Sequence, residues 1–207
     1  MRTDELRDDL CQLHHQGFQG AVTAALAPVE QRAFHDLGFA VVRRLHLLRR
    51  KVDVMPAAPT VRTRRGRKRD HARVLTVDHA AFDPFWQIDG DGLAAALAVT
   101  QASRLRVTDA ADGPDGGTGV VGYAVCGRTA GHGYVQRLAV HPDHQGRGLG
   151  AALLLDGLRW LTRWGAREIM VNTQLGNERS LRLYQHVGFR LVPDGLAVLR
   201  LDFGNLR

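Results

Sequence analysis

The sequence has little cysteine and no long apolar run. Cys11 and Cys126 are the only cysteines among 207 residues, and they lie far apart without metal-ligand spacing, which argues against a disulfide framework or a zinc site. No apolar run approaches the roughly 18 residues of a membrane span. Acidic residues precede any apolar stretch at the N-terminus, unlike a signal peptide. These absences predict a cytoplasmic protein with ordinary thiols, no metal and no membrane contact.

A glycine-rich loop lies at the centre of residues 134–155, which read YVQRLAVHPDHQGRGLGAALLL. Alternating apolar residues before the loop predict a strand, and the apolar pattern after it predicts a helix. The loop glycines leave backbone N–H groups free to surround an oxyanion, and the positive end of the helix dipole lies at the same place. Arg147 adds a mobile cation. The loop therefore favours a pyrophosphate group.

The spacing of this loop distinguishes it from other phosphate loops. It lacks the lysine of a Walker A loop and the order of a dinucleotide fingerprint. It resembles the acetyl-CoA signature Gln/Arg-x-x-Gly-x-Gly/Ala of the GNAT N-acetyltransferases, here at Gln145, Gly148 and Gly150. The alternative is a glycine-rich helix entry in another α/β protein.

A second motif follows at the spacing that this family has. Residues 177–189 read NERSLRLYQHVGF, which resembles the family pattern Asn-x-x-Ser/Ala-x-x-Leu-Tyr-x-x-x-Gly-Phe. This form is similar to that of the ribosomal-protein-alanine N-acetyltransferases. The matched residues are Asn177, Ser180, Leu183, Tyr184, Gly188 and Phe189. With both motifs in the right order, the sequence is identified as a member of the GNAT superfamily.

The resemblance implies an α/β GNAT fold, with a mixed, mostly antiparallel central sheet flanked by helices, over residues 57–207. The predicted element order is strand, two helices, three strands, helix, strand, helix and two strands. Individual patterns predict a first strand around 60–65, a helix capped by Asp70 and a turn at 112–117. Aromatic residues after that helix, at Phe85 and Trp86, either contact the acceptor substrate or belong to the core.

Residues 1–56 are predicted to be an N-terminal α/β appendage and linker. The apolar order of residues 34–49 repeats that of residues 184–200, with Gly38 matching Gly188. This similarity indicates a degenerate half of a GNAT module, although a helix that ends at glycine before a strand is common. No phosphate loop precedes the segment, so its predicted role is packing against the main sheet or across a homodimer.

The resemblance also implies acetyl-CoA as co-substrate and assigns its contacts. The backbone N–H of Leu138 would polarise the thioester carbonyl, and the Tyr184 hydroxyl would protonate the departing sulfur as general acid. Tyr184 as a packing residue and Asn177 as a plain helix cap are the alternatives. The expected cofactor-binding residues are Leu138, Ala139, Val140, Gln145, Gly146, Arg147, Gly148, Leu149, Gly150, Asn177 and Tyr184.

The general base is not evident from the sequence. Many family members have a glutamate on the strand before the loop, whereas this chain has Gln136 and Arg137 there. His132, His141 and a water chain remain candidates, with the water chain as the default. Two functions stay open: direct acetyl transfer to a primary amine, of a protein N-terminus or a small molecule, in a ternary complex, and a non-catalytic acetyl-CoA-binding module.

Positive charge is concentrated in one segment. Residues 43–73 contain twelve Arg and Lys residues against two Asp residues, a net charge of +10, while the whole chain carries +7. Residues 62–69 are therefore either a patch for an anionic partner, such as ribosomal RNA or the CoA 3′-phosphate, or a solvated strand edge. The segment contains no aromatic residue, whereas a protein that binds single-stranded nucleic acid usually has aromatic residues among its basic ones.

Overall fold

A computed structural model describes residues 3–110 and 119–205, so the turn predicted at 112–117 lies outside the described residues. No helix in these ranges is long and apolar enough to cross a bilayer. In chain order the helices and strands are α1 (Thr3–His15), β1 (Gly20–Val22), α2 (Pro28–Asp36), β2 (Ala40–Lys51), β3 (Arg64–Arg65), α3 (His71–Ala81), α4 (Gly90–Ala98), β4 (Ala102–Asp109), β5 (Val120–Thr129), β6 (His132–Val140), α5 (Leu149–Arg163), β7 (Glu168–Gln174), α6 (Glu178–His186) and β8 (Arg190–Asp202).

The chain divides into two compact units, of which Arg49–Val171 forms one. Its strands lie in the order β7-β6-β5-β4-β3. All pairs are antiparallel except β6 with β7, which is parallel. Strand β5 is the buried centre, because Tyr123 and Val125 pack with α3 and α4 while Cys126 lies against Gly157 of α5. Burial on both faces explains its continuous apolar sequence.

The other unit comprises the described residues of Met1–Leu48 and Asn172–Arg207. Strands β1, β8 and β2 lie in that order in it, and β1 pairs antiparallel with β8. The core of this unit joins both ends of the sequence, with Leu6 and Leu10 of α1 packed with Leu199 and Leu201 of β8. Both units are α/β, and the expected mixed, mostly antiparallel sheet with flanking helices is confirmed. The predicted boundary between residues 1–56 and 57–207 stays a prediction.

Three local predictions were wrong. The last two predicted strands are one strand, β8, since Asp194 and Gly195 have φ of 67° and 55° and locally distort the strand without reversing it. Strand β3 is only Arg64–Arg65, much shorter than predicted. Asp70 precedes α3 but makes no side-chain cap there, because its carboxylate accepts from the Arg67 N–H at 2.8 Å and from the Arg64 guanidinium.

Helices α2 and α6 end in the same way. Gly38 and Gly188 follow them with φ of 87° and 88°, the left-handed conformation that terminates a helix. The next residue then donates its N–H to the helix, from Phe39 to Phe34 and from Phe189 to Tyr184, at 3.0 Å in both cases. The predicted half-module repeat stays a prediction that this local likeness supports.

Candidate active site

Strand β6 has a bulge at its middle. Arg137 lies opposite Val125 of β5 and Val135 lies opposite Cys126, which leaves Gln136 as the extra residue. On its other side β6 pairs with β7 only upstream of the bulge, ending at Val135. Over the described residues, the downstream half of β6 therefore has a strand partner on one side only.

The backbone groups of Leu138 and Val140 point to this open edge. The N–H of His141 donates to the C=O of Val121 at 2.8 Å, which pairs His141 with β5. Hydrogen-bonding direction alternates along an antiparallel ladder. Ala139 therefore also faces β5, and Leu138 and Val140 face away from it. This edge offers an extended ligand a donor and acceptor row of the kind that a neighbouring strand would use.

The loop begins directly after this edge and is fastened to it. The side-chain amide of Gln145 donates to the C=O of Val140 at 3.0 Å. This hydrogen bond fastens the loop to the strand and occupies the C=O of Val140, while the N–H groups of Leu138 and Val140 keep no strand partner among the described residues. Gln145 thus holds the loop in position, a role that the sequence motif alone did not indicate.

Two glycines give the loop its concave shape. Gly146 and Gly148 have φ of 79° and 75°, and a Cβ built on either would meet no atom within 4 Å. Left-handed residues turn successive N–H groups toward a common point, the geometry of an anion-binding nest. Gly148 immediately precedes α5, so the helix dipole is added at the same place. The open concave side fits a phosphate group.

The remaining loop residues either fix the start of α5 or carry charge. Leu149 is 9% exposed and fixes the start of α5 in the core, and Gly150 lies in the first turn of that helix. Arg147 is exposed, and its guanidinium donates to the C=O of Asp143 at 3.3 Å. A weak contact of this kind leaves an arginine able to reorient toward a ligand.

The unit that contains Arg49–Val171 therefore brings together nine predicted cofactor-binding residues: Leu138, Ala139, Val140, Gln145, Gly146, Arg147, Gly148, Leu149 and Gly150. Asn177 and Tyr184 belong to the other unit. Asn177 caps α6 by accepting the N–H of Ser180 at 3.1 Å, as its alternative interpretation predicted. Tyr184 is 4% exposed, and its ring lies edge-on to Phe189 with centroids 5.9 Å apart.

A buried charge network was missed by the sequence analysis. Arg137 binds Asp78 with two hydrogen bonds of 2.6 and 2.9 Å, and the Tyr123 hydroxyl also donates to this carboxylate. Asp78 and Tyr123 are both 0% exposed. Burial raises the pKa of the Tyr123 hydroxyl, and the Asp78 carboxylate raises it further. Burial alone would lower the pKa of Arg137, but the bond to Asp78 raises it on balance.

This network fixes the segment between α3 and α4. Arg137 also donates to the C=O of Trp86 and lies over the Phe82 ring at 4.2 Å. Asp78 accepts the N–H of Ile88 at 3.0 Å. Arg137, on the strand where the family resemblance led us to look for a glutamate base, thus holds the aromatic segment in position. A buried aspartate within an apolar helical stripe was the available signal, since such a residue requires a charged partner.

The structure also separates the candidate bases. His132 is at the start of β6, six residues from Leu138, or about 20 Å along an extended strand. His141 lies at the open end, where its Nδ1 accepts the N–H of Asp143 at 3.4 Å. The position of His132 excludes it as a base beside the open edge.

Burial raises the pKa of the Cys126 thiol to about 12, which agrees with an unreactive core thiol.

Comparison with known proteins places these features in a family. Residues 73–189 match the model of the acetyltransferase (GNAT) family. The mycothiol acetyltransferase of Mycobacteroides abscessus is 31% identical over 175 residues, covering 78% of this chain and 57% of that protein. This chain thus spans just over half the length of that curated relative.

Solved structures share the fold at low sequence identity. A GCN5-related N-acetyltransferase from Sphaerobacter thermophilus has a TM-score of 0.61 at 21% identity, covering 88% of this chain and 59% of that one. The ribosomal-protein-S18-alanine N-acetyltransferase from Escherichia coli has a TM-score of 0.53 at 16% identity, covering 68% of this chain and 92% of that one. The family expected from the two motifs is confirmed.

Proposed function

Because this chain belongs to the acetyltransferase (GNAT) family, we propose that it transfers the acetyl group of acetyl-CoA to a primary amine. One observation carries the proposal: the open edge of β6 runs directly into an anion-binding loop. Coenzyme A has an extended amide-containing arm followed by a pyrophosphate. A polar strand edge followed by a nest of N–H groups matches that order of chemical groups.

The proposed contacts follow from this match. The amides of the arm bond to the edge at Leu138 and Val140, whose N–H groups point away from β5. The pyrophosphate lies on the N–H groups of residues 145–150, with Arg147 as an additional cation. Ala139 contributes through its position between the two edge residues, since its own backbone groups bond to β5. Asn177 and Tyr184 are proposed to contact the cofactor on the strength of the family motif.

The proposed reaction is direct attack in a ternary complex. An uncharged amine nitrogen attacks the thioester carbonyl carbon, so that a C–N bond forms and the oxygen becomes an oxyanion. The N–H of Leu138, which faces the open edge of β6, is proposed to stabilise this charge. The C–S bond then breaks, Tyr184 gives its proton to the thiolate, and the new amide nitrogen loses a proton to a water chain or His141.

The acceptor is proposed to be the amine of a protein N-terminus or of a small molecule. The relative from M. abscessus is named a mycothiol acetyltransferase, so the amine that this enzyme uses belongs among the first acceptors to be tried. The rival function is a module that binds acetyl-CoA without turnover, for which the absent glutamate on β6 is the supporting feature. A homodimer, and contact of residues 62–69 with nucleic acid or the ribosome, remain partner predictions.

A panel of acceptors separates the two functions. The donor is acetyl-CoA, and the acceptors tried are peptides, the amine substrate of the mycothiol acetyltransferase and other small amines. We expect release of the CoA thiol to require at least one of these amines. Initial rates against both substrates should give intersecting double-reciprocal lines, since both must be bound before transfer. Parallel lines would contradict direct attack. Cofactor binding without release for any amine would favour the module.

A further inference from the structure

The unit Arg49–Val171 has a cleft of about 860 Å³ with the features of a second anion-binding site. The cleft lies beside β4 and the later turns of α5. Trp160 is eleven residues beyond the start of α5, which places it about 16 Å along the helix from the phosphate loop. The cleft is therefore separate from the site proposed for the pyrophosphate. Its cationic lining comes from Arg65, Arg67, Lys68, Arg104 and Arg106.

The floor of the cleft has excess positive charge. Arg104 and Arg106 are two residues apart and share one face of β4. Both pair with the same carboxylate, Asp156, at 3.1 and 2.8 Å. Burial and the neighbouring charge of Arg104 lower the pKa of Arg106, although Asp156 opposes this. The Nε of Arg106 is buried and has no hydrogen-bond acceptor among the described residues.

The rim adds three cations that have no ion pair in the described part of the chain. Arg65 at the end of β3, and Arg67 and Lys68 just after it, are exposed. Arg64, by contrast, is held by Asp70 at 2.8 Å and Asp109 at 2.6 Å, and it has a structural role. The five arginine and lysine residues and the single carboxylate of Asp156 sum to a formal charge of +4 at the cleft.

We propose that this cleft binds a small ligand with several phosphate groups, of the size and chemistry of a nucleoside triphosphate. Its volume is in the range of small-molecule sites. The guanidinium groups that line the cleft suit phosphate oxygens, because their donors match them in pairs. Trp160 lines the cleft and offers an aromatic surface beside the cations. Five cations around one cleft favour a compact ligand over an extended strand.

Two triple variants of the full chain test the shape of this site. R65A/R67A/K68A removes three cations that line the cleft. R62A/R69A/R73A removes three exposed cations from the same basic stretch of sequence, residues 62–73, that do not line the cleft. Both lower the net charge equally. With ATP as the probe in calorimetry at low salt, we expect the first variant to bind about 100-fold more weakly, from roughly fivefold per charge-assisted contact. The second should stay within about threefold of the unsubstituted chain.

Other ligands give outcomes that overturn the proposal. Equal weakening of ATP binding by the two variants would mean that general charge, rather than the cleft, attracts the nucleotide. Single-stranded RNA that binds more tightly than ATP, and that both variants weaken alike, would assign the segment to nucleic acid. ATP should bind equally well to protein saturated with acetyl-CoA. Displacement of ATP by acetyl-CoA, or no ATP binding by the unsubstituted chain, would contradict a separate site.

Discussion

Gly148→Asp is expected to weaken acetyl-CoA binding by about 100-fold or more, through loss of charge-assisted contacts to the pyrophosphate. Gly148 has φ of 75°, so the new residue also strains the nest. Its Cβ enters open space, which means that the added carboxylate occupies the concave side and repels the pyrophosphate. Calorimetric titration with acetyl-CoA measures the effect.

Gly131→Asp is the matched control. Gly131 has φ of 81°, and a Cβ there would also meet no atom within 4 Å. It lies in the turn between β5 and β6, away from the loop, so it introduces the same charge and comparable strain without touching the nest. We expect this variant to bind acetyl-CoA normally. Equal losses in the two variants would attribute the effect to backbone strain, and a folded Gly148→Asp variant with unchanged affinity would remove the proposed loop function.

Tyr184→Phe is expected to lower kcat by about 100-fold or more, the usual contribution of a positioned proton donor. The substitution removes one hydroxyl from a side chain that is 4% exposed and keeps the ring that packs on Phe189. Acetyl-CoA affinity should therefore be retained, and the loss should appear in kcat more than in the KM for the amine. Steady-state rates with the best acceptor of the panel measure it.

The leaving group provides an independent check on this assignment. A thiol that is more acidic than CoA needs its proton less, so an acyl donor with such a thiol should reduce the difference between Tyr184→Phe and the unsubstituted enzyme. Tyr134→Phe, on β6 upstream of the bulge, is the control for loss of a tyrosine hydroxyl and should keep its rate. Full activity of Tyr184→Phe would make Tyr184 a packing residue.

The phosphate loop and its flanking elements could be predicted because their signals are local. Glycine spacing, strand alternation and helix periodicity act over a few residues, and the helix predicted after the loop is α5, Leu149–Arg163. The family motifs added the order of the remaining elements. The N-cap of α6 at Asn177 was also predictable, since a cap requires only a side chain and an N–H three residues away.

Features that depend on distant partners could not be predicted in this way. The bulge at Gln136 depends on register with β5, and the open edge depends on where β7 stops pairing. The sequence analysis noted Arg137 only as a residue on the strand where a glutamate base was expected. Its buried partner Asp78 is 59 residues away and could not be paired with it from the sequence. Asp70 was misassigned as a helix cap for another reason, since the Arg64 side chain and the Arg67 N–H, both close in sequence, compete for its carboxylate.

Amide hydrogen exchange of the unsubstituted protein tests most directly whether acetyl-CoA lies along the open edge of β6. The N–H groups of Leu138 and Val140 face away from β5, whereas that of Ala139 already bonds to β5. We predict that saturating acetyl-CoA slows exchange at Leu138 and Val140 and leaves Ala139 nearly unchanged, when each amide is followed by NMR. Binding of acetyl-CoA without slower exchange at either edge residue would contradict the proposed site.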